Sequence, residues 1–173
     1  MNAVEASTVV YVPPTEVYEF LEDFTGYAGY SEYIQEIHAD GDGGPGTTYD
    51  ITFAWWKLSY TARSTVTDIE PPERIDWKIS KDIDARGHWQ ITPAPEQAPE
   101  NHEHASRVVL QIEFDPSSAN KNAIDLPPLV GLDWVIGKVK PKIEREATRV
   151  VERIVADLEG EQRPVTVDIE TRS

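Results

Sequence analysis

The sequence predicts a single α+β domain in which a curved antiparallel sheet wraps around a long C-terminal helix. Two observations support this fold class. Five successive runs between residues 48 and 114 alternate apolar with polar residues, and a stripe of apolar residues with helical spacing follows them. Alternation with a period of two indicates strands that have one buried and one solvated face. The striped helix is the only remaining element long enough to cover the buried face.

The first part of the chain predicts one strand and two helices. Residues 4–12 are rich in β-branched and aromatic residues, and a Pro-Pro pair ends this strand. From Thr15 onward, apolar residues at i, i+3, i+4 and i+7 predict a helix. The spacing of aromatic and isoleucine residues over residues 27–37 predicts a second, short helix. The glycine-rich segment 40–46 is typical of a turn.

The five alternating runs predict a meander of sequential strands because most of the connections between them are short. The runs span residues 48–53, 58–67, 75–80, 85–92 and 107–114. The C-terminal helix is marked by apolar residues over 139–158, with Pro141 in a first turn or at a kink. The predicted order is therefore β-α-α-β5-α, in one domain over residues 1–160. Residues 161–173 form a polar tail whose alternation is compatible with a short extra strand.

This order and several local motifs resemble the START-like helix-grip superfamily, which is also described as polyketide cyclase/dehydrase and lipid transport. Residues 12–23 are similar to the opening of these proteins, in which the first strand ends at proline and the first helix runs to an aspartate. Further matches are the Gly-rich turn 43–47, the turn 68–75 and the aromatic positions Tyr27 and Tyr33. The coenzyme Q-binding branch is the most similar. These motifs are structural, so the resemblance implies the fold more strongly than the function.

The charge and composition exclude several classes of function. Sixteen Lys+Arg against 31 Asp+Glu give a formal net charge of −15, spread along the chain. This charge repels phosphates and anionic headgroups, so we expect no nucleic-acid partner. It favours a haloarchaeal-type, salt-adapted protein, with an ordinary acidic protein as the alternative. The absence of cysteine excludes disulfides and thiolate catalysis. With no signal peptide and no integral membrane segment visible, we expect a cytoplasmic protein.

Large side chains on the predicted buried face are the candidate ligand-binding residues. They are Phe53, Tyr60, Trp77, Trp89, Ile112 and Phe114, together with Trp134 from the apolar segment 124–136. They line a cavity for a flat or long apolar molecule, or they form an ordinary core, and the sequence leaves both readings open. Tyr60 is also the candidate catalytic residue, because a buried hydroxyl needs a hydrogen-bond partner. No inward-facing His, Asp or Glu accompanies it.

Three other motifs lack residues that a metal site, a calcium loop or a phosphate loop would need. His102 and His104 lie in a polar, Pro-rich loop without a rigid third ligand, so we expect no metal site there. The segment that begins at Asp40 resembles a calcium loop but has Ile51 where a glutamate is needed. The glycines of 41–46 lack the Lys-Ser/Thr of a phosphate loop, and no cofactor is expected.

Three functions remain open at this stage. The first is a binding or carrier protein for an apolar small molecule such as a lipid, an isoprenoid quinone or a polyketide-like compound. The second is an enzyme of the cyclase/dehydratase type, which only the family resemblance implies. The third is a protein-interaction module with a filled core, using Trp56 and residues 124–136. The sequence does not indicate the oligomeric state.

Overall fold

The computed structural model describes residues 2–23, 26, 29–55, 58–118 and 132–172, which form one eight-stranded antiparallel sheet and two α-helices. The elements in chain order are β1 (Asn2–Val10), α1 (Pro14–Glu22), β2 (Ile34–Asp40), β3 (Thr48–Trp55), β4 (Leu58–Glu70), β5 (Arg74–Ile79), β6 (Asp84–Pro93), β7 (Ser106–Asp115), α2 (Leu132–Glu159) and β8 (Asp168–Arg172).

The strands follow the order β2-β3-β4-β5-β6-β7-β1-β8 across the sheet. Strands β2 to β7 form a sequential meander, β1 lies beside β7, and β8 lies at the edge beside β1. The five alternating runs form β3 to β7, as the sequence predicts. The curved antiparallel sheet with a long helix near the C-terminus confirms the predicted fold class.

The predicted second helix is wrong in its C-terminal part, because residues Ile34–Asp40 form strand β2. Ile34 pairs with Phe53 and Ile37 pairs with Ile51, and the register shifts between them. Such a bulge adds one residue to the strand, so two residues three apart point to the same face of the sheet. The bulge therefore produced a helix-like spacing in a strand.

Helix α2 begins at Leu132, earlier than the predicted apolar stripe, and Pro141 lies inside it. Residues 132–136, the last part of the apolar segment 124–136, are therefore helical. The rest of the apolar segment, residues 124–131, and Trp56 lie outside the described residues.

One face of the sheet, here the inner face, carries the hydrophobic core. The core is built on one half of this face, the packed half, which contributes Tyr49, Ile51, Val66, Ile75, Ile91 and Val108. Helix α1 adds Val17 and Leu21, and the last turns of α2 add Val155, which is 1% exposed. The C-terminal end of α2 is thus packed on the sheet.

The tail does not stand apart from the domain. Strand β8 pairs with β1, Val165 is buried, and the Thr8 hydroxyl donates to the Thr166 carbonyl at 2.9 Å. The strand lies slightly later than the alternation over residues 165–169 suggests.

Candidate ligand-binding site

The inner face has a second half that is less completely covered than the packed half. This open half is defined by residues at the opposite ends of the same strands: Phe53, Tyr60, Ile79, Ala85 and Phe114. Phe53 is 38% exposed, although it lies two residues from the buried Ile51 on the same face. The other four are half-buried. Apolar surface is therefore accessible at this end of the inner face.

Trp77, Trp89 and Ile112 lie nearer the middle of the inner face. Trp77 and Ile112 both pair with Gly87, one from each side, and Trp89 packs against the core. A Cβ at Gly87 would lie 2.5 Å from Cζ2 of Trp77, so the indole ring covers this glycine. The absence of a side chain at Gly87 leaves room for the large ring of Trp77.

The hydroxyl of Tyr60, the candidate catalytic residue, has a partner within the protein. It donates to Oδ2 of Asp82 at 3.1 Å, in the turn between β5 and β6, and the Nζ of Lys81 lies 5.4 Å from the centre of its ring. Burial and then the hydrogen bond to Asp82 raise the pKa of Tyr60 to about 12. At neutral pH the phenol is protonated, so it does not act as a general base.

Trp134 lies on helix α2, not on the sheet, and its side chain is 47% exposed. The ammonium group of Lys138 lies 5.9 Å from the centre of its ring. The seven predicted ligand-binding residues thus fall into two groups, six on the inner face and one near the start of α2.

A cavity of about 410 Å³ lies between α2 and the segment that precedes β2, bounded by Glu32, Tyr33, Arg145, Glu146 and Arg149. It adjoins the open half, because Ile34 pairs with Phe53 and the Tyr33 carbonyl accepts from the Ala54 amide at 2.8 Å. Desolvation, then the Glu32 carboxylate and the charge of Glu146, raise the pKa of Tyr33.

Glu146 is the unexpected residue of this cavity. It is 8% exposed, and its Oε2 lies 3.7 Å from Nη1 of Arg149, whose side chain is 58% exposed. Its Oε1 is buried and has no hydrogen-bond partner among the described residues. A buried carboxylate oxygen without a partner is costly and calls for an explanation.

The expectation that no acidic side chain faces inward is wrong at Glu146. The signal was present in the sequence, because Glu146 follows Ile143 by three residues and precedes Val150 by four. These spacings place it on the apolar stripe of α2. A charged residue within such a stripe was therefore a detectable anomaly.

A second cavity, of about 380 Å³, lies on the opposite, outer face of the sheet. It contains His88, which pairs with Asp76 and Gln111 on the neighbouring strands. Its two arginines are already engaged, Arg74 with Asp76 and Arg86 with Glu113, each at 2.9 Å. Burial and then Arg74 lower the pKa of His88. Most of the residues that line this outer cavity are polar or charged, but Trp77 and Gly87 also line it.

Within the described ranges, no three His, Cys, Asp or Glu side chains are grouped closely enough to hold a metal ion. His102 lies against the Tyr11 ring, with 5.1 Å between the ring centres, and its Nε2 is 3.5 Å from the Glu161 carboxylate.

No helix among the residues that the structure describes is both long enough and apolar enough to cross a bilayer.

Comparison with known proteins agrees with this architecture. The Zhui aromatase/cyclase from Streptomyces sp. R1128 superposes with a TM-score of 0.62 at 17% identity, covering 92% of this chain and 94% of that one. Ara h 8.0201 gives a TM-score of 0.58 at 16% identity, covering 92% and 98%. TTHA0849 from Thermus thermophilus gives 0.54 at 18% identity, covering 91% and 94%. At these identities the likeness establishes the fold alone.

No curated protein is significantly similar to the chain in sequence. A family model does match, over residues 1–158, which is nearly the whole domain. It describes polyketide cyclases/dehydrases and lipid transport proteins, whose fold holds hydrophobic ligands. The chain therefore belongs to the polyketide cyclase/dehydrase and lipid transport family.

Proposed function

We propose that the protein is a binding or carrier protein for an apolar small molecule, which it holds between the open half of the sheet and helix α2. A lipid, an isoprenoid quinone or a polyketide-like compound has the required apolar surface. The observation that carries the proposal is the 38% exposure of Phe53 on the same face as the buried core. An exposed aromatic side chain beside a core is surface that a ligand removes from water.

The driving force in this proposal is desolvation. Burial of roughly 400 Å² of apolar surface contributes about 10 kcal/mol at about 25 cal/mol per Å². The loss of translational and rotational freedom on association offsets part of this gain. Phe53, Trp77, Ile112 and Phe114 are the residues that we expect to supply most of the contact area, with Trp89 deeper in the core and Trp134 at the margin.

Native mass spectrometry of protein purified at high salt tests the proposal directly. We expect a co-purifying apolar species, or uptake of the uncharged fluorescent probe N-phenylnaphthylamine when the protein is purified empty. Substitution Phe53→Ser should weaken probe binding about tenfold. Ile169→Ser is the matched control, because Ile169 is 47% exposed but lies on β8, at the edge of the sheet far from β3. Absence of both a bound species and probe binding in the unsubstituted protein would refute the proposal.

A cyclase/dehydratase-type enzyme is the second candidate, and the buried Glu146 is the observation that favours it. Such an enzyme forms a carbon–carbon bond within a poly-β-ketone and releases water, so it needs a group that accepts and returns a proton. Glu146, a residue that is 8% exposed and bounds a cavity, has a suitable carboxylate, whereas Tyr60 is unsuitable because its pKa is about 12. The mass of a poly-β-ketone substrate is the measurement: loss of one water that depends on Glu146 supports the enzyme, and an unchanged mass contradicts it.

A further inference from the structure

The two oxygens of the Glu146 carboxylate have different surroundings. Oε2 faces Arg149 at 3.7 Å, too far for a hydrogen bond, and Oε1 is removed from solvent without a partner in the described part of the chain. Natural proteins rarely leave a buried carboxylate oxygen unsatisfied, because the cost exceeds that of an ordinary lost hydrogen bond. The missing donor must come from outside the described residues, and a bound ligand can supply it.

The charges around the cavity restrict the kind of donor. Among the described residues that bound the cavity, Glu32 and Glu146 carry two formal negative charges and Arg145 and Arg149 carry two formal positive charges, so these four sum to zero. A charged ligand group would upset this balance in a partly desolvated site. An uncharged donor, such as an alcohol or a phenol, satisfies Oε1 without adding charge.

The cavity that contains Glu146 lies next to the apolar open half of the inner face. Tyr33 bounds the cavity and precedes Ile34, which pairs with the exposed Phe53 on the open half of the inner face. A ligand that covers Phe53 and extends past Ile34 reaches Tyr33, which bounds the cavity of Glu146.

We propose that Glu146 is a specificity-determining residue that accepts a hydrogen bond from the hydroxyl group of an otherwise apolar ligand. The inference rests on the proposed function, since it concerns the ligand held between sheet and helix. It goes further in naming the ligand class: a hydroxylated apolar molecule, in preference to a pure hydrocarbon, an amine or a carboxylic acid. A buried acceptor without a partner in the protein discriminates against analogues that lack the matching donor.

The test compares naphthol with methylnaphthalene substituted at the same ring position, by equilibrium dialysis against the full chain. The two probes have nearly the same size and differ in the hydroxyl. We expect naphthol to bind about tenfold more tightly, as a hydrogen bond to a charged group predicts. Glu146→Leu should remove the preference by weakening naphthol binding while methylnaphthalene binding is retained. Glu152→Leu, on an exposed position of the same helix, is the matched control.

The outcomes separate the two proposals. Equal binding of both probes, unchanged in Glu146→Leu, overturns the role of Glu146 and leaves an apolar binding site standing. Failure of both probes to bind the unsubstituted protein overturns both proposals. Should Glu146→Leu not fold, Glu146→Gln decides the point, because its neutral amide should reduce the naphthol preference by several-fold, and an unreduced preference counts against the proposal.

Discussion

The guanidinium of Arg163 holds the carboxylate of Glu159 through two hydrogen bonds, from Nε to Oε1 at 2.7 Å and from Nη2 to Oε2 at 2.9 Å. The Glu159 side chain is completely buried. Its Oε2 also accepts from the Tyr11 amide at 2.8 Å, and Nη2 of Arg163 donates to the Val9 carbonyl at 2.9 Å. The guanidinium carbon lies 3.9 Å from the centre of the Tyr11 ring. This pair therefore joins the end of α2 to the end of β1.

We expect Arg163→Ala to lower the free energy of unfolding by about 3 kcal/mol, because it leaves a buried carboxylate without its cation. Chemical denaturation measures the change. Arg63→Ala is the comparison, since Arg63 pairs with Asp50 at 2.9 Å but is 56% exposed. Loss of an exposed pair should have a much smaller effect, because water and salt screen it. Equal effects of the two substitutions would show that the buried pair has no special role.

Gly87→Ala should destabilise the protein by about 1–3 kcal/mol through overpacking. The added Cβ would lie 2.5 Å from the Trp77 ring and closer still to the carbonyl oxygen of Gln111. Thermal unfolding followed by tryptophan fluorescence reports both the stability and the displacement of the ring. Gly29→Ala is the control, because a Cβ there meets no heavy atom within 4 Å. An unshifted melting temperature in Gly87→Ala would contradict the observed packing of Trp77.

His88 makes the stability depend on pH in a defined direction. Its folded-state pKa lies below the ordinary 6.5, because of burial and then Arg74. The unfolded chain therefore takes up a proton first, so this contribution to stability is complete above pH 6.5 and is lost as the pH falls towards the folded pKa. We expect His88→Gln to lose less of its free energy of unfolding than the unsubstituted protein as the pH falls through this window.

Proton NMR titration of the His88 ring checks the cause of the shift. Arg74→Gln should move the pKa of His88 upward, because it removes the nearby positive charge. Arg86→Gln, an equivalent change in the same outer cavity, should leave that pKa in place. If both substitutions move it equally, a specific effect of Arg74 is disproved.

The net charge of −15 predicts that salt stabilises the fold. Between about 0.1 M and about 1 M KCl the screening length falls from about 10 Å to about 3 Å, which weakens repulsion among the carboxylates. We expect the free energy of unfolding to rise over this range. Sorbitol at matched osmolarity should give a smaller increase, because it does not screen charge. A flat or falling salt dependence would refute the expected salt adaptation.

The alternating runs predicted strands β3 to β7 correctly because side-chain direction in a strand reverses at every residue, which is a local property of the chain. Strand β2 was not predicted, because its bulge gives Ile34 and Ile37 the spacing of residues on one face of a helix. Pairing with Phe53 and Ile51 of β3 decides between the two conformations, and those partners are distant in sequence.

The local sequence pattern predicts which face of the sheet the candidate site residues lie on, but it does not predict how exposed each of them is. Alternation places Ile51 and Phe53 on one face, yet one is buried and the other is 38% exposed, since coverage depends on which elements pack above them. The stripe on α2 marks Glu146 as unusual, but only its burial beside Tyr33 and Arg149 makes it a candidate acceptor. Periodicity and short connections predict strands β3 to β7, their sequential order and the long helix. Strand β2, the open half, the Glu146 cavity and the packing of the Arg163–Glu159 pair against Val9 and Tyr11 arise from contacts between distant segments.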